Sequence, residues 1–316
     1  MEFLTPFHIS KSNISIDFQS YIFTIGSCFA ENIGETLFNN KFNCFINPLG
    51  ILFHPLAIER NLDTIIKNKN LDEKDIIFHN NQYLSLHTHS SINKINKEDF
   101  IKNYNSLQLK GHLFLKNATH IIITYGTSWV YEYLKTNEIV ANCHKIPATE
   151  FKKKILDIDE IMKSIENSIQ ILQEFNPNIQ IIFTISPVRH LKDGFMENTL
   201  SKSHLVAALH KIIKSYSKIC TIFPAYEIMM DELRDYRFYK NDYLHPNELA
   251  IQYIWEKFSN LYFSENTKIT LKKVIQINKD LNHIPFDIFS ESHQKFLIQI
   301  QEKISILAQE NPTIKF

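Results

Sequence analysis

Short β-branched apolar bursts alternate with longer helix-patterned segments along most of this chain, and that alternation limits the fold more than any other feature. The bursts are Tyr21–Ile25, Phe42–Ile46, His120–Tyr125, Ile179–Ile185 and Ile219–Phe223. Each is short, lacks internal Gly or Pro, and shows little polar alternation, which suits strands buried on both faces of a parallel sheet. Helical patterns fall between them over Glu31–Asn39, about Pro55–Lys67, about Lys97–Lys110, Ile158–Phe175 and Ser201–Ser217. This repetition predicts a three-layer α/β/α sandwich with a five-stranded parallel sheet and right-handed crossovers. Two stretches break the rhythm as β-excursions, one with a hairpin signal at Asn80-Asn81 and one at Thr136-Asn137. Residues 1–263 are expected to form the sandwich and 264–316 a helical extension packed on it. In that extension Leu297, Ile300, Ile304 and Leu307 make an apolar stripe too short for a coiled coil.

Charge narrows the function classes. Lys+Arg and Asp+Glu both total 34 in 316 residues, so there is no basic excess to neutralise phosphates, and nucleic acid is not an expected partner. Cys28, Cys44, Cys143 and Cys220 are scattered with no CxxC pair, a usage that reads as reduced thiols. The first residues show no basic segment followed by an apolar one, so no signal peptide is expected. Apolar runs such as IQIIF are far shorter than a membrane span. The expectation is a cytoplasmic protein with no membrane partner; nothing in the sequence sets its oligomeric state.

The polar residues of interest gather after the strands, where sites form in open α/β sheets. Gly26-Ser27-Cys28 follows the first strand and leads into a helix. Gly26 permits a tight turn, the helix N-terminus offers unpaired N–H groups, and a serine there can attack a carbonyl while those groups hold the oxyanion. Capping is the ordinary reading of the same residues. Cys28 is the rival nucleophile, since a thiol at a helix N-terminus is activated. Far along the chain, Asp242 and His245 stand three apart before Pro246 and an amphipathic helix. A carboxylate so placed can hold one imidazole nitrogen while the other faces a nucleophile.

GSCFAENIG with NPLG downstream, then YGTSWVY, NCHKIP, TISPVRHLKDG, SK, FPAYEIMMDELRDYRFY and DYLHP, resemble the GSCFA domain family from about Phe23 to Phe258. That family in turn resembles the SGNH/GDSL hydrolases. The resemblance implies a flavodoxin-like sandwich and a serine esterase or acyl hydrolase, or an acyltransferase, without a cofactor. It maps the nucleophile onto Ser27, the base onto His245 and its orienting carboxylate onto Asp242. Gly50 matches the oxyanion-donor Gly of the second block. The third block departs from the pattern, because Gly126-Thr127-Ser128 stands where Gly-x-Asn is expected. Thr127 or Ser128 can substitute, or Asn142 and His144 can reach in from the second excursion. The resemblance says little about what is hydrolysed; the expected partner is a small-molecule or carbohydrate ester substrate. A non-catalytic ligand-binding or scaffold protein retaining the fold is the alternative.

Two further clusters carry chemistry. Arg189 and His190, with Lys192 near, can bind a carboxylate or phosphate, or Arg189 can pair with an acid of the DELRD segment. His79, His87 and His89 invite a metal reading but lack an evident acidic or thiolate partner, so no metal is expected.

Overall fold

The computed structural model describes Thr5 and residues 12–316. Its central sheet contains β1 (Tyr21–Gly26), β2 (Asn43–Ile46), β5 (His120–Tyr125), β9 (Gln180–Ile185) and β10 (Cys220–Phe223). All four pairings are parallel, in the order β10-β9-β5-β1-β2. Counting only these five strands in chain order, the sheet runs 2-1-3-4-5, which is the flavodoxin-like arrangement. The excursions are β3 (Ile77–His79) with β4 (Gln82–Leu84), and a three-stranded sheet of β6 (Trp129–Tyr133), β7 (Glu138–Val140) and β8 (Phe151–Ile155). Asn80 and Asn81 both have positive φ, as a two-residue type I′ turn requires.

Pleating divides the apolar bursts between two cores. Phe23, Ile121 and Ile181 lie opposite one another across three strands, and Ile25, Ile123 and Phe183 form the next layer. Both layers pack against α2 (Pro55–Ile66), α4 (Ile158–Phe175) and α5 (Phe195–Ile213), beside α3 (Lys97–Asn117). On the other face Ile22, Ile122 and Ile182 meet α1 (Cys28–Asn39) and, beyond the short α6 (Ala225–Glu227), α7 (Glu248–Tyr262). Full burial of each such side chain is worth about 1.5–3 kcal/mol, which outweighs the absence of a polar face on these strands.

The final helices, α8 (Glu265–Leu281) and α9 (Glu291–Glu310), extend the second core. Ile300 and Leu307 of the predicted stripe are buried, Ile304 packs at their edge, and Leu297 is 40% exposed. No described helix is long and apolar enough to cross a membrane.

Helix boundaries depart from the periodicity where turn chemistry takes over. α1 begins at Cys28 rather than Glu31 because Ser27 caps it. α3 continues past Gly111 to Asn117. A Cβ on Gly111 would meet Pro48 and Ile65 at 3.5 and 3.6 Å, ordinary contact. α5 starts at Phe195, after Gly194 at φ +116, a conformation side chains rarely adopt.

Candidate active site

The turn after β1 is closed by its neighbours. Gly26 has φ +137, and a Cβ there would collide with the Thr124 carbonyl oxygen and stand 2.9 Å from its carbonyl carbon. The Gly26 N–H donates to Asn47 Oδ1 at 2.9 Å, and its carbonyl accepts from the Leu52 N–H at 2.8 Å. The Ser27 N–H donates to the Thr124 carbonyl at 3.1 Å, while its Oγ caps α1 by accepting from the Phe29 N–H at 3.3 Å. Ser27 is fully buried. Cys28, one residue on, lines a cleft at the carboxyl end of the sheet. Burial raises its thiol pKa, opposed by the Lys202 charge and by backbone N–H groups.

His245 lines the same cleft. Asp242 Oδ1 accepts from the N–H groups of Leu244 and His245 at 2.9 and 3.0 Å, and Oδ2 meets His245 Nδ1 at 2.7 Å. Those backbone donors, then the imidazole, hold the Asp242 carboxyl well below the usual carboxylate range. The reversal of the chain is made by Tyr243 at φ +58, and by the Lys240 N–H donating to the His245 carbonyl at 2.7 Å. Asn247 caps α7, so Pro246 lies just before the helix rather than inside it. No hydrogen bond joins Ser27 to His245 among the described residues.

The candidate oxyanion donors separate into groups. The Gly50 N–H is already engaged by the Asn47 carbonyl at 2.8 Å. Gly50 itself is required by close approach, since a Cβ would strike His89 Cβ at φ +82. Asn142 and His144 do not line the cleft. Asn142 Oδ1 accepts from the His144 N–H at 2.9 Å, and His144 Nε2 bonds the carbonyls of Ser85 and Thr88 at 2.9 and 3.0 Å. The returning arm thus anchors on the first excursion; its Val140 and Ala141 reach the cleft instead. Thr127 lines the cleft, but its Oγ1 contacts Ser201 Oγ at 2.9 Å and accepts from the Trp129 N–H at 3.1 Å. Ser128 is buried and bonded to the same Ser201.

His190 lies against the third block at Gly126. A Cβ on Gly126 would lie 3.2 Å from His190 Nε2, and that nitrogen is buried without a hydrogen-bond partner. The His190 N–H donates to Asn198 Oδ1 at 2.8 Å, and its ring stands edge-on to Phe53 at 5.6 Å. Burial, then the charges of Lys202 and His245, push its pKa down to about 3, so the ring is neutral at pH 7. Arg189 stacks on Tyr239 and Tyr236, with centroid distances of 4.2 and 5.5 Å.

Lys202, part of the SK motif, carries no assigned role in the sequence. It is buried, its Nζ donates to the Ser186 carbonyl, and burial pushes its pKa down to about 7. A signal existed: Lys202 shares the buried face of α5 with Leu205, Ala208, Leu209 and Ile212, so helical spacing puts it among core positions. The histidines of the metal reading have other neighbours. His87 faces Glu138 at 3.4 Å, and His89 Nδ1 contacts Ser91 Oγ at 3.0 Å. No three His, Cys, Asp or Glu side chains converge as a metal site among the described residues.

A parallel α/β/α sandwich, with a helix-capping Ser-Cys turn after its first strand and an Asp-His pair before α7, defines the class. The chain belongs to the GSCFA family, whose model matches residues 21–258. The model described as the GSCFA domain protein C-terminal domain matches residues 274–316. Among solved structures, the chain is similar to a crystal structure of an acetyl esterase mutant with acetate ion. That similarity is 11% in identity, with a TM-score of 0.28, over 52% of this chain. The chain spans 61% of the length of that structure, and a likeness so distant carries no argument here. No curated protein matches the chain.

Proposed function

We propose that this protein is an SGNH-type serine acyl hydrolase working through an acyl-enzyme. The observation that carries the proposal is the 2.7 Å Asp242–His245 pair, whose imidazole lines the cleft reached by the Gly26-Ser27-Cys28 turn. Asp242 holds Nδ1–H and leaves Nε2 as the base. Ser27 releases its cap bond, gives its proton to Nε2 and attacks the ester carbonyl. Orphan N–H groups at the start of α1 stabilise the oxyanion. His190 supplies a neutral donor in place of the missing third-block Asn. Protonated His245 then gives its proton to the leaving alcohol, and water or another acceptor, deprotonated by His245, takes the acyl group from Ser27.

A second reading has its own support, because Cys28 lines the cleft while Ser27 is fully buried. Labelling with a fluorophosphonate separates the two. The serine mechanism requires labelling of wild type and of Cys28→Ala and none of Ser27→Ala. No fluorophosphonate label, together with iodoacetamide labelling that Cys28→Ala alone abolishes, assigns the thiol, and no site label by either reagent favours a binding or scaffold protein.

A further inference from the structure

The cleft carries an arginine without a carboxylate. The nearby acidic segment offers three acids, and each is taken by another base. Asp231 meets Arg234 at 2.9 Å, Glu232 meets Lys257 at 2.7 Å, and Asp235 faces Arg237 at 3.8 Å. Asp193, the carboxylate lining the cleft, is paired with Lys153. Asp242 is committed to His245. Arg189 has no ion-pair partner among the described residues; its charge is met by the faces of Tyr236 and Tyr239 and by the Tyr239 hydroxyl. Lys192, exposed and also without an ion pair among the described residues, lines the same opening.

Position makes this cation useful. The Arg189 N–H donates to the Leu244 carbonyl at 3.1 Å, which fastens its loop to the residue before His245. An anion at Arg189 therefore sits close to the imidazole. The aromatic stack pre-orders the guanidinium, and its planar fork matches a carboxylate better than an ammonium would. Across the cleft Phe53, Trp129 and Val140 offer an apolar wall for the body of a ligand.

We propose that Arg189, assisted by Lys192, is an anion subsite and that the substrate is an ester bearing a carboxylate close to the scissile bond. The ester part rests on the hydrolase reading above; the anion subsite does not. Paired substrates of equal shape test it: 4-acetoxybenzoate against the neutral 4-acetoxybenzamide. Wild type is expected to prefer the anion in kcat/KM by about tenfold or more, the scale of a hydrogen bond to a charged group. Arg189→Met should remove that preference, and Arg189→Lys should restore part of it. If Arg189→Met does not fold, Lys192→Glu should lower the same ratio.

Binding supplies the independent arm, by calorimetry of benzoate, benzamide and phenyl phosphate on Ser27→Ala. Benzoate binding that weakens with salt and is lost in Ser27→Ala/Arg189→Met supports the subsite even if neither ester is cleaved, in which case the hydrolase reading fails alone. Turnover of both esters at a ratio untouched by Arg189→Met and Lys192→Glu overturns the subsite and leaves the hydrolase standing. Tighter binding of phenyl phosphate than of benzoate overturns the carboxylate assignment.

Discussion

Gly26→Ala should be among the most damaging single-methyl substitutions this chain can receive. The residue is at φ +137, where an L side chain costs about 1–3 kcal/mol in backbone strain alone. The added Cβ also meets fixed atoms: the oxygen, carbonyl carbon and nitrogen of Thr124, all main chain of the adjoining strand. That strand cannot yield cheaply, because Thr124 pairs with Thr184 on its other side and its carbonyl receives the Ser27 N–H. Relief requires β1 to draw away from β5, which loosens the Ser27 bond and the Asn47 contact together. Overpacking of this kind adds about 1–3 kcal/mol, giving roughly 2–6 kcal/mol in total against a global stability of about 5–15 kcal/mol. Urea unfolding followed by far-UV circular dichroism reads it directly. Gly34→Ala is the control. Its Cβ would lie 2.9 Å from the Ile46 and Thr24 side chains, which can shift, so it should cost clearly less. A Gly26→Ala unfolding free energy within about 1 kcal/mol of wild type, no more than an average substitution costs, would refute the turn described here.

Other perturbations read the charges. Asp242→Asn should cut kcat by about a hundredfold or more with little change in KM, because it leaves His245 in the wrong tautomer; unchanged steady-state kcat would remove His245 as the base. His54, His120 and His190 are pushed down to about 4, 4 and 3, chiefly by burial. Between pH 6.5 and 4 the unfolded chain therefore binds protons that the folded chain does not. Stability should fall with pH at up to about 4 kcal/mol per unit, seen as a falling urea midpoint; a flat midpoint would contradict the burial of these rings. Lys202, pushed down to about 7, has the same sign in a higher window. From pH 7 to about 10 wild type should gain stability relative to Lys202→Met at about 1.4 kcal/mol per unit, and parallel stability curves would show that Lys202 holds its charge when buried.

The central strands were legible because burial on both faces erased every alternative to a short apolar run. The third strand of the second excursion was not. Phe151–Ile155 reads FKKKI, and three successive lysines hide a strand from hydropathy. The structure resolves them by alternation and by partners: Lys152 faces solvent, Lys153 lies over Trp129 at 4.6 Å and pairs with Asp193, and Lys154 meets Glu160 at 3.0 Å. Helix starts were misread for a related reason. Caps such as Ser27 and Gly194 act through one hydrogen bond or one dihedral, which periodicity does not register.

The candidate site divides along the same line. Ser27 stands out as part of a strand-turn-helix, and Asp242 and His245 lie on one reversal of the chain, so short-range spacing is enough to single them out. Lys202 and His190 acquire their character only from what the fold places against them. Lys202 is an ordinary helix residue until α5 packs its face on the sheet, where its Nζ donates to the Ser186 carbonyl. His190 Nε2 becomes a buried, unpartnered nitrogen only when Gly126 and Phe53 close around the ring. The Gly at position 126 leaves room that the His190 ring fills. Substituting Gly126 should therefore disturb His190 before it disturbs the sheet.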